Sequence, residues 1–225
     1  ESFMSVRDAL RNNIPRNDLK ALVNDIRMSL NPHPAGQMEY NVPTIEDYNL
    51  TGVQHKYRET MLFFPNQGQT CHAYCTFCFR WPQFVGIDEL RFAMKEAELM
   101  VKYLKAHPEI TDVLFTGGDP MVMKTKQLES YILPILEEVP SVKTIRFGSK
   151  ALSYHPYRFT HDRDSEELLD LFRKITKSGR HLAFMAHFNH PQELKTEIVK
   201  TAVEKIRATG AQIRTQSTIM RNIND

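Results

Sequence analysis

The sequence is poor in cysteine and in net charge, and each scarcity excludes a class of protein. Its three cysteines are an odd number confined to one short segment, a usage that argues against a disulfide framework and for a reducing compartment. Its 29 basic and 27 acidic residues nearly cancel, and no long run of one sign offers a stripe for a nucleic acid. We therefore expect no nucleic-acid partner.

Long apolar runs are also absent. The longest are short strand-like pieces such as the one at 61–64, far below the roughly 20 residues that a membrane-spanning helix needs. No secretory signal opens the chain. The sequence has 225 residues, of which 41% are hydrophobic, enough for a substantial core. We expect a globular cytosolic protein without a membrane partner.

All three cysteines lie in residues 71–80, C-H-A-Y-C-T-F-C-F-R, which we call the cysteine segment. Their C-x3-C-x2-C spacing indicates a shared metal centre with Cys71, Cys75 and Cys78 as ligands. Structural zinc sites and electron-carrying iron–sulfur clusters normally take four protein ligands. Three thiolates leave one metal position open to a small molecule, so the spacing favours chemistry at the metal. The alternative is three incidental buried thiols.

Beyond residue 58 the apolar pattern alternates between short strands and amphipathic helices. The predicted strands are 61–65, 111–116, 142–147, 181–186 and 212–220. The predicted helices are 88–106, 125–138, 165–177 and 191–208. Such alternation requires a parallel sheet with right-handed crossovers. The predicted fold is therefore α/β, either doubly wound or curved into a barrel.

Residues 1–58 lack this alternation. Residues 1 to about 30 have apolar residues at helical spacing, and Pro15 should divide this helix in two. Prolines and glycines with little periodicity then indicate an ordered wrap. We expect a helical arm and wrap over 1–58 and the core over 59–225. The sequence stops without the helix that should cover the last strand, so we expect the carboxyl-terminal part of the core to be missing from it.

Chemically distinctive residues follow each predicted strand, where ligands gather in parallel sheets. The cysteine segment follows the first strand, and Gly117-Gly118-Asp119 follows the second. The glycines let the backbone approach a ligand closely, and the acid can meet an ammonium group. The remaining strands are followed by 148–150 (Gly-Ser-Lys), 187–190 (His-Phe-Asn-His) and 221–225 (Arg-Asn-Ile-Asn-Asp). The run at 187–190 also fits a helix-capping turn with one satisfied histidine.

The cysteine segment resembles the signature of the radical S-adenosylmethionine superfamily, in which an aromatic residue precedes a later cysteine, here Tyr74 and Phe77. The resemblance implies a [4Fe-4S] cluster on the three cysteines. The fourth iron would chelate S-adenosylmethionine, whose reductive cleavage makes a 5′-deoxyadenosyl radical. Over about residues 54 to 225, runs such as Arg-Phe-Gly-Ser-Lys and His-Phe-Asn-His-Pro also resemble the lysine 2,3-aminomutase family. This resemblance implies a partial (βα) barrel of parallel strands.

The family's motifs also imply roles for individual residues. The implied S-adenosylmethionine contacts are Gly117, Gly118, Asp119, Ser149, His187 and Gln216. Arg80 matches the arginine that binds the substrate carboxylate, a role that suits its guanidinium fork. Asp225 matches an acid that holds the distal ammonium of lysine. The alternatives are a surface arginine and a frayed chain end.

Pyridoxal 5′-phosphate, which forms an imine with the substrate amine, is a further cofactor of the family. Its phosphate-binding segment aligns with 55–60 (His-Lys-Tyr-Arg-Glu-Thr), so Lys56 and Tyr57 are candidate contacts. Lysine stands at position 56 and threonine at position 60, where the family usually has arginines. The family's lysine that carries this cofactor would lie beyond Asp225.

The resemblance implies an isomerase that moves an amino group on lysine or a lysine-like substrate, including a lysyl group on a protein. It further implies an electron donor such as flavodoxin or ferredoxin, and it is compatible with a homo-oligomer. Two alternatives stay open. One is a relative that acts on another substrate without pyridoxal phosphate, and the other is a non-catalytic iron–sulfur protein.

Overall fold

The computed structural model describes residues 2–30, 36, 38–73, 75–84 and 90–225. A two-stranded hairpin, β1 (Thr44–Ile45) and β2 (Tyr48–Asn49), precedes the main sheet. The strands of the main sheet are β3 (Val53–Tyr57), β4 (Thr60–Phe63), β5 (Asp112–Phe115), β6 (Thr144–Ser149), β7 (His181–Ala186) and β8 (Gln212–Thr215). These six strands lie side by side in that order. β3 runs antiparallel to β4, and every later pair is parallel.

The described helices are α1 (Ser2–Arg11), α2 (Arg16–Leu30), α3 (Ala97–Ala106), α4 (Thr125–Glu138), α5 (Ala151–Tyr154), α6 (Ser165–Lys177) and α7 (Glu197–Ala208). The gap between α1 and α2 confirms the break predicted at Pro15, and α4 and α6 have the predicted bounds. In the described part of the chain, no helix has both the length and the apolar character to cross a membrane.

The strand order decides between two forms of α/β sheet. A doubly wound sheet reverses its strand order at a switch point, whereas β4 to β8 follow each other without reversal. Because crossovers are right-handed, an unreversed order places successive helices on one face. The α/β fold with parallel strands is confirmed, and the order is one that a barrel requires. The partial barrel itself stays a prediction.

A row of phenylalanines crosses the sheet near the carboxyl ends of its strands. Phe63, Phe115, Phe147 and Phe184 occupy paired positions on β4 to β7, and all four are fully buried. Neighbouring rings meet at centroid distances of 5.4 Å between β4 and β5 and 5.5 Å between β5 and β6. Apolar burial of four large rings stabilises the sheet. The row also keeps these parallel strands in register, so the loops that follow them meet at one edge.

The helix predicted over 88–106 is shorter than expected. Residues 85–89 lie outside the described residues, and α3 begins only at Ala97. The intervening chain is tied to the segment after β4 instead: Met94 N–H donates to Phe64 O at 2.9 Å, and Asn66 N–H donates to Met94 O at 2.9 Å. Phe92 is buried against the Phe64 ring. These tertiary backbone bonds compete with the helical ones that the apolar spacing favours.

Three further boundaries differ from the prediction. β3 lies before residue 58 yet joins the sheet as its edge strand, because its partner β4 follows after a tight turn. β8 ends at Thr215 and not at residue 220. The chain at Pro191–Leu194 forms a 3₁₀ turn, and the α-helix starts at Glu197.

Candidate active site

The cysteine segment reaches the sheet edge by crossing the end of β5. Its approach runs through a 3₁₀ turn at Asn66–Gly68 and then Gln69 and Thr70. A Cβ on Gly118 would lie 2.2 Å from Thr70 O, and one on Gly117, whose φ is +135°, would lie 2.2 Å from Gln69 Nε2. The two glycines therefore let the chain leading to Cys71 lie directly on the turn after β5.

The three cysteines are half-buried free thiols. Cys78 N–H donates to Cys75 O at 2.9 Å, which closes a turn between two of them. Burial raises the pKa of both of these thiols. Among the residues that the structure describes, which exclude Tyr74 of this segment, no three His, Cys, Asp or Glu side chains are arranged as a metal site. The donor chemistry nevertheless fits an iron–sulfur group, since soft thiolates form as metal displaces their protons.

Asp119 joins the turn after β5 to the end of β6. Its carboxylate is buried and accepts hydrogen bonds from Met121 N at 2.9 Å, Ser149 Oγ at 2.8 Å and Lys150 N at 2.9 Å. Burial raises the pKa of Asp119, and the three hydrogen bonds oppose that change. Ser149 Oγ also accepts from Ala151 N at 2.9 Å. The structure thus brings these two predicted contacts together, but bonds within the protein engage both side chains.

His187 lies at the end of β7 with its ring stacked on Phe77 of the cysteine segment, at a centroid distance of 5.6 Å and an interplanar angle of 27°. Burial first, and then the nearby charge of Lys150, lower the pKa of His187, so the imidazole is neutral at pH 7. His187 Nε2 and Asn189 Oδ1 are buried without a hydrogen-bond partner in the described part of the chain. The helix cap is His190, whose Nδ1 accepts from Gln192 N. Capping therefore does not account for His187.

Sequence reasoning did not assign a role to Lys150 or to Glu193. Lys150 is almost fully buried, and its Nζ donates to Glu193 Oε2 at 2.8 Å and to His187 O at 3.3 Å. Hydrogen bonds and the lysine charge outweigh partial burial and lower the pKa of Glu193. Lys150 lies in the run 148–150 that follows the predicted strand 142–147, and this position was a signal for a site residue. Its partner 43 residues away left no local signal.

Arg80 is packed behind the cysteine segment. Its guanidinium lies 4.5 Å from the centre of the Phe64 ring, and its Nη2 donates to Gln54 Oε1 at 3.0 Å. Burial lowers its pKa to about 10, so it is still protonated at neutral pH. Its Nη1 is buried without a hydrogen-bond partner within the described residues, and none of the ion pairs found among them includes it. An ordinary surface arginine has none of these features.

Gln216 and Asp225 belong to the chain beyond β8. Gln216 N–H donates to Ala186 O at 3.0 Å, which places it beside the end of β7, although its side chain is exposed. Asp225 is also exposed, and its Oδ1 accepts from Asn222 N at 2.7 Å. Asn224 Nδ2 donates to Asn189 O at 2.7 Å. The final turn therefore lies against the loop that carries His187.

Lys56 and Tyr57 lie at the other edge of the sheet. Tyr57 pairs with Thr60 at the start of β4, whereas the cysteine segment follows the end of that strand. Both side chains are exposed, and Lys56 Nζ lies over the Tyr57 ring at 5.5 Å. Thr60 Oγ1 donates to Asp112 Oδ2 at 3.2 Å. The structure does not bring these residues to the cysteines, and they do not fit a phosphate site there.

A parallel α/β sheet with a C-x3-C-x2-C segment at its carboxyl edge defines a candidate enzyme of the radical S-adenosylmethionine class. No family model matches the chain. A protein of Aquifex aeolicus (strain VF5), provisionally named an L-lysine 2,3-aminomutase, is 41% identical over 175 residues, 77% of this chain and 44% of that protein. L-lysine 2,3-aminomutase of Fusobacterium nucleatum is 32% identical over 180 residues, 80% of this chain and 39% of the relative. That of Acetoanaerobium sticklandii is 30% identical over 203 residues, 89% and 45% respectively.

These comparisons confirm the resemblance found in the motifs, and the chain belongs with the lysine 2,3-aminomutase family. The chain spans less than half the length of these three curated relatives.

Proposed function

We propose that the chain is the cofactor-binding part of a radical S-adenosylmethionine enzyme of the aminomutase type, an isomerase that acts on an amino acid. One observation carries this proposal. Arg80 is a half-buried, protonated cation whose buried Nη1 has no hydrogen-bond partner among the described residues, and it lies two residues beyond the last cysteine. A buried cation without an acid is costly unless an anion joins it. A substrate carboxylate supplies that anion and suits the guanidinium fork.

The residues around the cysteines support the two cofactors that the family implies. Cys71, Cys75 and Cys78 would hold a [4Fe-4S] cluster, and a cluster with three protein ligands keeps one iron open. His187 Nε2 and Asn189 Oδ1, which have no hydrogen-bond partner among the described residues, would meet polar groups of S-adenosylmethionine. When bound, the two cofactors supply the one-electron cleavage that starts radical chemistry. The protein's part is to orient the carboxylate at Arg80 and to exclude water.

The residues aligned with the family's pyridoxal phosphate segment do not lie beside the cysteines. Lys56 and Tyr57 are exposed at the opposite sheet edge, and Thr60 bonds to Asp112. These observations favour a second candidate, a family relative that performs radical chemistry on another substrate without pyridoxal phosphate. Cleavage of S-adenosylmethionine by the full-length protein without rearrangement of lysine, whether or not pyridoxal phosphate is added, would favour the second candidate. Strict dependence of the rearrangement on added pyridoxal phosphate would favour the aminomutase.

Lysine is the proposed substrate, either free or as a lysyl group on a protein. The relatives carry lysine in their names, and Asp225 lies in a turn against the His187 loop. An exposed acid attracts the distal ammonium of lysine through a charge interaction that water screens. A cytosolic location, an electron donor such as flavodoxin or ferredoxin, and a homo-oligomer belong to the same proposal.

A competition experiment tests the proposal on the full-length protein. The anaerobically reconstituted and reduced protein is incubated with S-adenosylmethionine deuterated at C5′ and equimolar lysine, glutamate and alanine. Deuterium should appear mainly in lysine. Label mainly in glutamate or alanine would refute the basic substrate and leave the radical chemistry intact. Absence of S-adenosylmethionine cleavage in protein that holds its cluster would refute the enzyme class.

A further inference from the structure

The Lys150–Glu193 ion pair is unusual because it lies where water is largely excluded, and burying charges there costs free energy. Lys150 is 4% exposed, and the Glu193 side chain is 18% exposed. The lysine Nζ also lies over the ring of Tyr154, at 4.9 Å from its centre. Replacing a buried ion pair with apolar side chains is often neutral or stabilising, so stability alone is a weak reason for this pair.

The pair connects three loops at the carboxyl edge of the sheet. Lys150 N–H donates to Asp119 Oδ2 after β5, and Lys150 Nζ reaches Glu193 Oε2 after β7. Glu193 Oε1 in turn accepts from Asn189 N at 3.2 Å. These hydrogen bonds therefore connect the turn after β5, the end of β6 and the loop after β7.

The side chains of Lys150 and Glu193 both form hydrogen bonds to the backbone of one short segment, residues 187–189. Lys150 Nζ donates to His187 O, and Glu193 Oε1 accepts from Asn189 N. His187 and Asn189 are also the residues that carry the unpaired atoms Nε2 and Oδ1 beside the cysteine segment. The pair thus holds the backbone beneath the side chains of His187 and Asn189, which lie beside each other and, for Asn189, beside the Cys75 thiol.

We propose that Lys150 and Glu193 are positioning residues that clamp the loop 187–193, so that His187 and Asn189 meet S-adenosylmethionine in a fixed arrangement. This inference rests on the proposed function, because it assigns the two unpaired atoms to that cofactor. Lysine and glutamate are needed together here, since loss of either leaves a buried charge and releases the loop.

The test uses the full-length protein and the variants Lys150→Met, Glu193→Gln and Lys150→Arg. Lys200→Met is the matched control, because Lys200 forms an exposed pair with Glu197 on α7. Hydrogen exchange of the 187–194 amides is measured on the protein before reconstitution. Equilibrium binding of S-adenosylmethionine is measured after reconstitution. Glu193→Gln is the milder change and keeps the test valid if Lys150→Met fails to fold.

Lys150→Met and Glu193→Gln should each speed exchange in 187–194 by about tenfold and weaken S-adenosylmethionine binding by a similar factor. Exchange in α4 should not change. Lys150→Arg should restore both readouts to near the wild-type values, and the Lys200 control should leave them unaltered. Hydrogen exchange that rises evenly over the whole chain, or that stays at the wild-type level in 187–194, would refute the positioning role of Lys150 and Glu193. If the wild-type protein itself binds no S-adenosylmethionine, the proposed function fails, and the exchange data alone decide whether the pair holds the loop.

Discussion

The hydroxyl of Ser149 donates a hydrogen bond of 2.8 Å to Asp119 Oδ1. This bond joins the end of β6 to the turn after β5. Two backbone N–H groups also donate to the carboxylate, and His72 Nε2 lies 4.0 Å from its Oδ2. The aspartate of the Gly-Gly-Asp turn is therefore a link between neighbouring strand ends. Its oxygens are already occupied by the protein, which leaves the backbone of that turn as the part able to meet a ligand.

Asp119→Asn should destabilise the protein even without cofactors. The three groups that hydrogen-bond to the carboxylate are donors, and His72 Nε2 lies 4.0 Å from Oδ2, so an amide NH₂ would lose at least one of the three bonds. The expected cost is about 1.5–3 kcal/mol, the range for hydrogen bonds to charged groups. Urea unfolding of the cofactor-free protein measures it, with Asp170→Asn on the exposed face of α6 as control. Unchanged stability together with weaker S-adenosylmethionine binding would instead make Asp119 a direct ligand contact.

Gly118→Ala should be more damaging than Gly179→Ala. The new methyl group at 118 would lie 2.2 Å from Thr70 O, so the chain leading to Cys71 would have to move. Overpacking of this kind costs about 1–3 kcal/mol. A Cβ added at Gly179, whose φ is +82°, would meet none of the described residues within 4 Å, so this substitution carries only the strain of a left-handed backbone. Urea unfolding and iron content after reconstitution measure the two effects. Full iron loading in Gly118→Ala would show that the contact with Thr70 does not govern the cysteine segment.

Cys75→Ala should lose the cluster and, with it, S-adenosylmethionine cleavage. The wild type should hold about four irons per chain after anaerobic reconstitution. Thr76→Ala is the matched control, since this neighbour is exposed and carries no soft donor. Iron analysis and visible absorbance measure the result. Stoichiometric zinc without iron–sulfur absorbance in the wild type would contradict the assignment of all three cysteines.

Arg80→Lys should weaken use of the substrate while sparing the cluster. Lysine keeps the charge but loses the bidentate fork, so transition-state binding should fall by about 1.5–3 kcal/mol. The measurement is kcat/KM with lysine as substrate, alongside S-adenosylmethionine cleavage without substrate. Arg207→Lys, on the exposed face of α7, serves as control. Equal turnover by the two variants would show that Arg80 does not bind the substrate.

Asp164 should govern part of the stability at acid pH. Partial burial raises its pKa, but hydrogen bonds from Thr125 and the charge of Arg158 lower it further than burial raises it, so the net shift is downward. A carboxyl with a lowered folded pKa contributes stability that is present above its unfolded pKa of about 3.9 and is lost as pH falls through the folded value.

Asp164→Asn should therefore cost about 3 kcal/mol at neutral pH, because it removes the nearer acid of the buried Arg158 and leaves only Asp162, at 4.0 Å. The difference from wild type should shrink as pH falls below about 4, where the wild-type carboxyl takes up its proton. Denaturant unfolding over a pH series measures this. A difference that stays constant with pH would show that the carboxylate charge is not its source.

Local patterns in the sequence determined the alternation of strands and helices, the bounds of α4, α6 and β7, and the edge at which the cysteines lie. Apolar periodicity is a property of neighbouring residues, and the meeting of loops at the carboxyl edge follows from parallel strands alone. The family resemblance likewise rested on short motifs, and the homologues confirmed it.

Only the tertiary structure decided which side chains have hydrogen-bond partners within the protein and which are left to bind a ligand. Ser149 lies 30 residues from Asp119, and Glu193 lies 43 residues from Lys150. No local spacing reports such partners. The late start of α3 and the place of Lys56 at the opposite edge also depend on backbone pairing between distant segments. Burial and hydrogen-bond partners are set by the packed chain, because they depend on which groups exclude water around a residue and not on its neighbours in sequence.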